Sequence, residues 1–302
     1  MLIIEPDFFR EFSCTANLCR HSCCVGWEID IDEDTARYYC SVTGSVGEKL
    51  RSSISFDDCP HFLLSGREER CPFLQPDGLC ELVLQLGEDS LCEICREHPR
   101  FYHCLPGREE RGLGLCCEEA VRLLLSGTGP LRFLCSGTRE VPDSPLIVLR
   151  DKVLQLLADG SCSWEQRIES ACSLAGTRLL PFSVSLWKDF YLSLERLDEC
   201  WTAALQGLED RQIPSNTAME RIAEYFVFRH MASAETEEEA KLLLQFSFLS
   251  TRMIFSVDAP LADAVRMYSS EIEYSDENID RILVRIRELL QETEFPEEPH
   301  IT

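Results

Sequence analysis

The sequence predicts a mainly α protein, in which a cysteine-rich, metal-binding N-terminal region packs on an α-helical C-terminal body. Three observations predict this class. Thirteen of the seventeen cysteines fall within residues 1–117. Proline and glycine punctuate the same region and predict turns and short elements. Apolar residues at helical spacing dominate from about residue 145 onward. We therefore predict a cysteine-rich metal-binding or iron–sulfur-binding region over residues 1–125 and a helical region over residues 126–302.

The cysteine-rich region contains three predicted elements. Residues 26–32 alternate apolar and acidic side chains, which is typical of a short strand or an extended stretch. Residues 81–86 and 118–125 have the pattern of helices, and the glycines and proline of residues 126–130 end the second one.

The helical region contains five apolar stripes, each at helix spacing. Thr236 and Glu239 form a capping-box pattern ahead of the fourth stripe, and the last helix begins after Ser275 or Asp276. The second stripe is the weakest of the five. In chain order the stripes are Leu149, Val153, Leu156 and Leu157; Ile168, Cys172 and Leu179; Met219, Ile222, Ala223, Phe226 and Val227; Leu242, Leu243, Phe246, Leu249 and Met253; and Ile279, Ile282, Leu283, Ile286 and Leu290.

The charge of the chain is strongly acidic. The net charge of −24 comes from 53 acidic against 29 basic residues. Such a surface repels nucleic-acid phosphates and anionic lipids, so we expect neither nucleic acid nor a membrane as partner. A lysine-bearing protein would be attracted, although solubility alone also explains the charge. The N-terminus lacks a basic, then apolar, leader, and no apolar run reaches the ~20 residues that span a bilayer. These observations predict a cytoplasmic protein; the oligomeric state is not predicted.

The cysteines are the candidate metal ligands. Structural disulfides are rare in the reducing cytoplasm, which favours metal binding or reactivity for closely spaced thiols. Four thiolates satisfy tetrahedral zinc or one [4Fe–4S] cluster. The pairs Cys71/Cys80 and Cys92/Cys95 do not make the paired C-x2-C motifs of a zinc ribbon, which slightly favours the cluster. The alternative is a set of buried free thiols that act as small hydrophobes. The candidate ligands are Cys14, Cys19, Cys23, Cys24, Cys71, Cys80, Cys95 and Cys117, whereas core packing is predicted for Cys40, Cys59, Cys104, Cys135, Cys162, Cys172 and Cys200.

These motifs resemble those of the flagellin lysine N-methylases and of a wider group with a zinc- or iron-chelating cysteine domain. The double cysteine followed by Gly26-Trp27 is the most specific part. His98 and Cys116 depart from the family pattern, and by register we prefer Cys117 to Cys116 as ligand. The matching stretches are residues 12–32, 71–80, 86–88, 95–100 and 117–124, with looser similarity at 225–230 and 271–278.

The resemblance implies methyl transfer from S-adenosylmethionine to lysine side chains of flagellin, with a cysteine-bound iron–sulfur cluster. The residues alone show no glycine-rich donor-binding turn and no radical S-adenosylmethionine motif. Lysine must lose a proton before it is methylated, and the weak candidates for attracting or deprotonating it are Asp30, Asp32 and Glu119. Solvated or helix-capping carboxylates are the alternative for all three. Donor-binding residues are not predicted.

Two rival functions remain open at this point. One is a non-enzymatic zinc or iron–sulfur carrier or sensor, which would bind metal without transferring methyl groups. The other is an interaction module in which zinc only holds a small domain together. Five histidines, namely His21, His61, His98, His103 and His230, rank below the cysteines as ligands because a lone histidine is more often a satisfied polar group.

Overall fold

The computed structural model describes residues 1–57, 59–211 and 215–294. It confirms a mainly α protein, with thirteen α-helices in this described part. They are α1 (Glu33–Ser41), α2 (Gly44–Ser52), α3 (Glu81–Leu86), α4 (Glu93–Glu97), α5 (Glu118–Ser126), α6 (Pro145–Leu157), α7 (Trp164–Leu174), α8 (Val184–Leu192), α9 (Glu199–Gln206), α10 (Thr217–His230), α11 (Glu237–Ser256), α12 (Leu261–Tyr268) and α13 (Asp276–Glu294). A π-helical turn, Ser269–Glu273, follows α12 directly.

Six strands form two sheets that sequence analysis did not predict. The larger sheet has the order β4-β5-β1-β6, in which β1 runs parallel to β5 and antiparallel to β6. The smaller sheet pairs β2 with β3. The strands are β1 (Leu2–Pro6), β2 (Ile54–Ser55), β3 (His61–Phe62), β4 (Arg100–Leu105), β5 (Arg108–Leu113) and β6 (Phe133–Gly137).

The chain divides into two compact units that are discontinuous in sequence. The cysteine unit comprises Phe12–Phe101 and Cys117–Glu119, and the helical unit comprises Met1–Glu11, Tyr102–Cys116 and Ala120–Thr302. These units are defined by contacts in space. The division at residue 125 rests on composition along the chain and stays a prediction.

Aromatic residues and thiols share the core of the cysteine unit. The Tyr39 ring lies 6.1 Å from that of Phe62, which in turn lies 5.2 Å from Phe73. The Tyr39 hydroxyl donates a hydrogen bond to the Ser90 carbonyl at 2.8 Å, so its polar end is satisfied although the ring is fully buried. Cys71 and Cys92 are buried in the same cluster. Sulfur therefore supplies part of the packing in a unit with a modest apolar core.

The stretch predicted at residues 26–32 is extended, which confirms one of its two predicted forms. Ile29 accepts a hydrogen bond from Phe62 N at 3.0 Å, and Ile31 N donates to Pro60 O at 2.7 Å. Ile29 and Ile31 are buried, whereas Asp30 is exposed, as the alternating pattern requires.

The core of the helical unit is built on α10 and α11. Most residues of both helices are buried, including many that lie outside the predicted apolar stripes. In α11 four buried hydroxyls, on Ser247, Ser250, Thr251 and Ser256, each bond to the carbonyl four residues earlier. This helix is the longest described, with 20 residues. Within the described ranges no helix is both long enough and apolar enough to cross a membrane.

Most predicted helices are confirmed, and two details differ. Leu179 lies beyond the end of α7, because the chain leaves the helix at Ala175 and Gly176 takes a positive φ of 68°. Thr236 does cap α11 by accepting from Glu239 N, but the Glu239 carboxylate accepts from Glu235 N rather than from the N-cap residue. The capping box is therefore displaced by one residue.

Strand β5 places charged side chains inside the helical unit. Arg150 makes two hydrogen bonds to the Glu110 carboxylate, at 2.5 and 2.6 Å, and both side chains are fully buried. Arg108 contacts the same carboxylate at 2.5 Å, and Asp151 bonds to both arginines. Asp143 also contacts Arg108, at 3.2 Å. Three carboxylates thus serve the two cations, which satisfies charges that would otherwise be costly to bury.

The buried ion network predicts an unequal cost for two neighbouring substitutions. Glu110→Gln leaves Arg108 and Arg150 short of countercharge and is expected to lower the free energy of unfolding by about 3 kcal/mol. Glu109→Gln is the matched control, because Glu109 pairs with the partly exposed Arg111 and is expected to cost less than about 1 kcal/mol. Urea unfolding measures both, and equal costs would contradict the role given to Glu110.

Glu224 predicts a pH dependence of stability. Its buried carboxylate accepts from Leu131 N, and its other oxygen has no hydrogen-bond partner among the described atoms. Burial raises the pKa of Glu224 from 4.5 to about 7. The folded state then holds the proton more tightly, so this carboxylate costs stability as pH rises from about 4.5 to about 7.

Replacing Glu224 by Gln removes that cost while keeping an acceptor for Leu131 N. We expect Glu224→Gln to be more stable than the natural chain by about 3 kcal/mol above about pH 8, with a smaller difference at low pH. Thermal unfolding across pH measures this. A destabilised variant at high pH would contradict the assignment.

Candidate metal centre in the cysteine unit

The first thiols lie on a loop that is tied to the start of α5. Glu118 accepts hydrogen bonds from Arg20 N at 2.9 Å and from the His21 ring at 2.5 Å. These bonds bring Cys117, the residue before Glu118, to the loop that carries Cys19 and Cys23. They also lower the pKa of Glu118, although burial acts against this. The loop is therefore fixed by a carboxylate at a helix N-terminus.

Four thiols form what we call the outer group: Cys14, Cys19, Cys23 and Cys117. A thiolate at Cys14 would raise the pKa of both Cys19 and Cys23, and a thiolate at Cys117 would raise the pKa of Cys23. Cys14 accepts a hydrogen bond from Ala16 N at 3.4 Å, and Cys19 lies 3.0 Å from the Thr15 hydroxyl. Burial is the largest cause that raises the pKa of Cys19.

A tight turn positions the next two thiols. Cys71 N donates to Cys24 O at 2.9 Å, and Leu74 pairs with Cys80 in a β-bridge. The turn between Cys71 and Cys80 contains Gly78, whose φ is +83°. A Cβ on Gly78 would lie 3.0 Å from Asn17, so glycine suits both the positive φ of the turn and its close approach to the first loop. Asp77 accepts from Leu79 N at 3.1 Å and is a turn residue, as its Pro-Asp-Gly setting indicates.

Four further thiols form what we call the inner group: Cys24, Cys71, Cys80 and Cys95. All four lie in or against the core of the cysteine unit, unlike the thiols of the outer group. A thiolate at Cys24 would raise the pKa of each of the other three thiols. Burial raises the pKa of Cys71 to about 12 and raises that of Cys80. Neutral thiols are therefore favoured in the absence of a balancing cation.

Backbone donors oppose this effect at two inner thiols. The backbone N–H groups of Phe73 and Leu74 act to lower the pKa of Cys71, and those of Leu82 and Val83 act to lower that of Cys80. Amide donors two and three residues after a cysteine stabilise a thiolate, so the local backbone is arranged for sulfur in its ligand form.

The two groups meet at adjacent residues. Cys23 is exposed, whereas Cys24 is half-buried against the core. The Cys23 thiol donates to the Cys24 sulfur, which raises the pKa of Cys23 and lowers that of Cys24 to about 7. The same relation holds between Cys95 as donor and Cys92 as acceptor. The eight predicted ligands therefore differ in burial, since Cys24, Cys71, Cys80 and Cys95 lie in or against the core and the other four do not.

The donor chemistry fits a thiolate-bound metal, because both groups consist of soft sulfur donors and the inner one is served by amide donors. As the side chains stand, no set of three or more His, Cys, Asp or Glu residues in the described part of the chain is arranged to hold a metal ion. Binding would therefore require the sulfur atoms to draw together. That adjustment is typical of sites that form together with metal binding.

Core packing was the wrong prediction for six of the remaining cysteines. Only Cys172 of the seven is buried, where its sulfur accepts from Gln245 at 3.7 Å. Four of the others lie on exposed positions of helices or strands and two lie between elements, which spacing alone did not distinguish from buried positions. The six exposed cysteines are Cys40, Cys59, Cys104, Cys135, Cys162 and Cys200.

The three carboxylates that are candidates for attracting or deprotonating the substrate lysine differ in burial and in their hydrogen bonds. Asp32 is the N-cap of α1, and its two oxygens accept from Thr35 N and Glu93 N, each at 2.9 Å. These bonds lower the pKa of Asp32 against the effect of burial. Asp30 is exposed, and Glu119 is buried in the first turn of α5. The geometry of Asp32 fits its capping alternative.

A buried polar cluster in the helical unit joins two stretches that the resemblance had marked. The His230 ring lies 2.8 Å from the Glu273 carboxylate, and Arg229 lies 3.4 Å from the same oxygen. Arg229 also donates to the Tyr225 hydroxyl at 2.7 Å and covers the Tyr274 ring at 5.1 Å. Glu273 lies in the π-helical turn, a feature frequent at functional sites.

This cluster was missed because its members lie about forty residues apart and each is ordinary by itself. Burial lowers the pKa of His230, while Arg229 and His230 hold that of Glu273 below its usual range. The second Glu273 oxygen has no hydrogen-bond partner among the described atoms. The sequence signal for this cluster was the presence of polar residues next to buried apolar ones, at 229–230 and at 273.

Comparison with known proteins supports the resemblance first seen in the cysteine motifs. The chain is similar to proteins named lysine-N-methylase in Salmonella typhimurium and Salmonella choleraesuis, with 25% identity over 68% of this chain in each case. It is also similar to the flagellar biosynthetic protein FliU of Salmonella muenchen, with 28% identity over 41% of this chain and 77% of that protein. The predicted resemblance to the flagellin lysine N-methylases is thereby confirmed as a resemblance.

The extent of the match is limited. The chain spans about half the length of the two lysine-N-methylases, since the alignment covers 54% of each. No family model matches the chain. No solved structure matches it either.

Asp32 and Asp30 form a matched pair for testing the capping role. Asp32→Ala removes acceptors from the starts of α1 and α4 and is expected to cost about 2 kcal/mol of stability. Asp30→Ala alters an exposed carboxylate of the same stretch and is expected to cost less than about 0.5 kcal/mol. Urea unfolding compares them, and equal stability of the two variants would contradict the capping role.

Proposed function

We propose that this chain is a protein-lysine N-methyltransferase that transfers methyl from S-adenosylmethionine to lysine side chains of flagellin. The observation that carries the proposal is its similarity to two Salmonella proteins named lysine-N-methylase over 68% of its length. The similarity to a flagellar biosynthetic protein supports a flagellar substrate. The net charge of −24 supports a substrate that presents lysine. We also propose that the chain acts in the cytoplasm.

We further propose that the thiols of the cysteine unit hold an iron–sulfur cluster, with [4Fe–4S] as the preferred type and zinc as the alternative. The inner group supplies four soft donors, and nearby backbone N–H groups act to lower the pKa of two of them, Cys71 and Cys80. When bound, a cluster would supply redox-active iron and would connect the segments that carry its ligands. The reaction steps below do not depend on it.

Methyl transfer needs a neutral lysine nitrogen in line with the methyl carbon of the donor. The new N–C bond forms as the C–S bond of S-adenosylmethionine breaks, and S-adenosylhomocysteine leaves with the electron pair. The proton from lysine must pass to a base or to water, because its ordinary pKa is ~10.4. Asp30 and Glu119 remain the proposed carboxylates for attracting the ammonium group, whereas Asp32 uses both of its oxygens as caps.

The test is methyl transfer by the purified full chain with flagellin and labelled S-adenosylmethionine. We expect labelled methyl-lysine in flagellin, identified by mass spectrometry of its peptides. Cys95→Ser is expected to reduce the initial rate by at least about tenfold, because it removes a candidate ligand. Cys40→Ser is the matched control, since Cys40 is an exposed cysteine of the same unit.

Two outcomes would overturn the proposed function. Bound metal with no methyl transfer to flagellin, under conditions in which the chain is folded, would favour a non-enzymatic carrier or sensor. Methyl transfer to another lysine-bearing protein but not to flagellin would retain the reaction and reject the substrate. Equal activity of Cys95→Ser and Cys40→Ser would show that the candidate ligand Cys95 is not needed for methyl transfer.

A further inference from the structure

The loop between α7 and α8 closes a small cavity inside the helical unit. Residues 179–182 of this loop form one wall of the cavity. Gln245 of α11 fixes that wall, because its side-chain oxygen accepts from Leu180 N at 3.0 Å and its nitrogen donates to Arg178 O at 2.8 Å. The remaining walls come from α8 and α11, through Trp187, Phe248, Leu249 and Arg252.

Arg252 brings a positive charge to this cavity without a compensating carboxylate. Its half-buried guanidinium lies over the Phe182 ring at 5.7 Å and forms no ion pair or hydrogen bond with the residues that the structure describes. Burial lowers the pKa of Arg252, and no neighbouring charge opposes that effect. Arg150 and Arg167 of the same unit are each paired with a glutamate. An unpaired cation that is partly removed from water is costly, so Arg252 is short of a partner.

The indole N–H of Trp187 is a second unsatisfied donor at the same cavity. Trp187 is only 1% exposed, and its Nε1 atom has no hydrogen-bond partner among the described atoms. Buried N–H groups normally have an acceptor. Trp187 and Arg252 lie on different helices and line one cavity, so two independent donors lack an acceptor in the same place.

The size and the walls of the cavity define the group that would fill it. The enclosed volume is about 10 Å³, which is room for a single small group. Gln245 already uses both ends of its amide within the protein, and the other walls are mainly apolar. One guanidinium balances one negative charge, so a multiply charged oxyanion would be left without enough countercharge. A halide meets these conditions, because it is small and accepts from N–H donors in any direction.

We propose that this cavity is a binding site for one small monovalent anion of the size of chloride, held by the Arg252 guanidinium and the Trp187 indole N–H. The anion supplies the acceptor that both donors lack, and it ties the α7–α8 loop to α11. The site belongs to the helical unit and depends neither on the thiols nor on the proposed methyl transfer.

The site is tested by thermal unfolding of the purified full chain in sodium chloride and in sodium gluconate at equal ionic strength. Gluconate is too large for the cavity, and general effects of the two salts act on every variant alike. The chloride increment is the Tm in chloride minus the Tm in gluconate. At about 0.2 M salt we expect this increment to be about 2 °C larger in the natural chain than in Arg252→Gln.

Three variants separate anion binding from a loss of packing. In gluconate, Arg252→Gln is expected to be at least as stable as the natural chain, because it removes an uncompensated cation. Trp187→Phe is expected to reduce the chloride increment, although its Tm falls in both salts because the smaller ring leaves a gap. Arg178→Gln is the matched control, since it alters an exposed arginine of the same loop and is expected to keep the full increment.

Chlorine nuclear magnetic resonance measures the binding directly. The natural chain and Arg178→Gln are expected to broaden the chloride resonance more than Arg252→Gln does at the same protein concentration. Equal chloride increments or equal broadening in the natural chain and Arg252→Gln would overturn the site and leave the cavity to water. An equal loss of both signals in Arg178→Gln would show a general effect of surface charge and would also overturn it.

Discussion

The crowding of thiols within the cysteine unit is the constraint on which the rest of that unit depends. Cys71 is buried beside Cys24, and both Cys24 and Cys71 act on Cys95. Burial and mutual repulsion favour neutral thiols, whereas backbone N–H groups at Cys71 favour a thiolate. A bound cation resolves this opposition, because it allows several thiolates to share a small volume. The small sheet, the glycine turn and the caps of α1 and α4 all serve to bring these sulfurs together.

The helical unit is stabilised by a different balance. Its core is formed by long helices with extensive apolar burial, and several charges enter it as compensated networks. The Glu110 carboxylate between Arg108 and Arg150 allows a charged strand to lie inside. The His230–Glu273 contact similarly fixes the π-helical turn against α10. Loss of one member of either network would leave a buried charge unpaired and would lower the free energy of unfolding. Both networks therefore favour one packing of their elements.

The helices were predictable from sequence because their apolar spacing is long and regular. The stripe at Met219 to Val227 and the helix that begins near Asp276 were both found in this way. The larger sheet was not, since β1 is short and β5 contains Arg108 and Glu110 at buried positions that resemble a solvated turn. The Pro106-Gly107 pair between β4 and β5, with Gly107 at a φ of +71°, was the signal available for that hairpin. Spacing also identified eight candidate ligands, but it did not show that Cys23 is exposed while Cys24 packs against the core.

The central claim, that the thiols hold a metal centre, is tested most directly by iron, sulfide and zinc analysis of the protein purified without oxygen. We predict iron and acid-labile sulfide in equal amounts, in brown protein that absorbs near ~400 nm. Zinc with no iron would contradict the cluster and retain the metal. Protein with neither metal, folded and fully active, would contradict the account of the cysteine unit altogether.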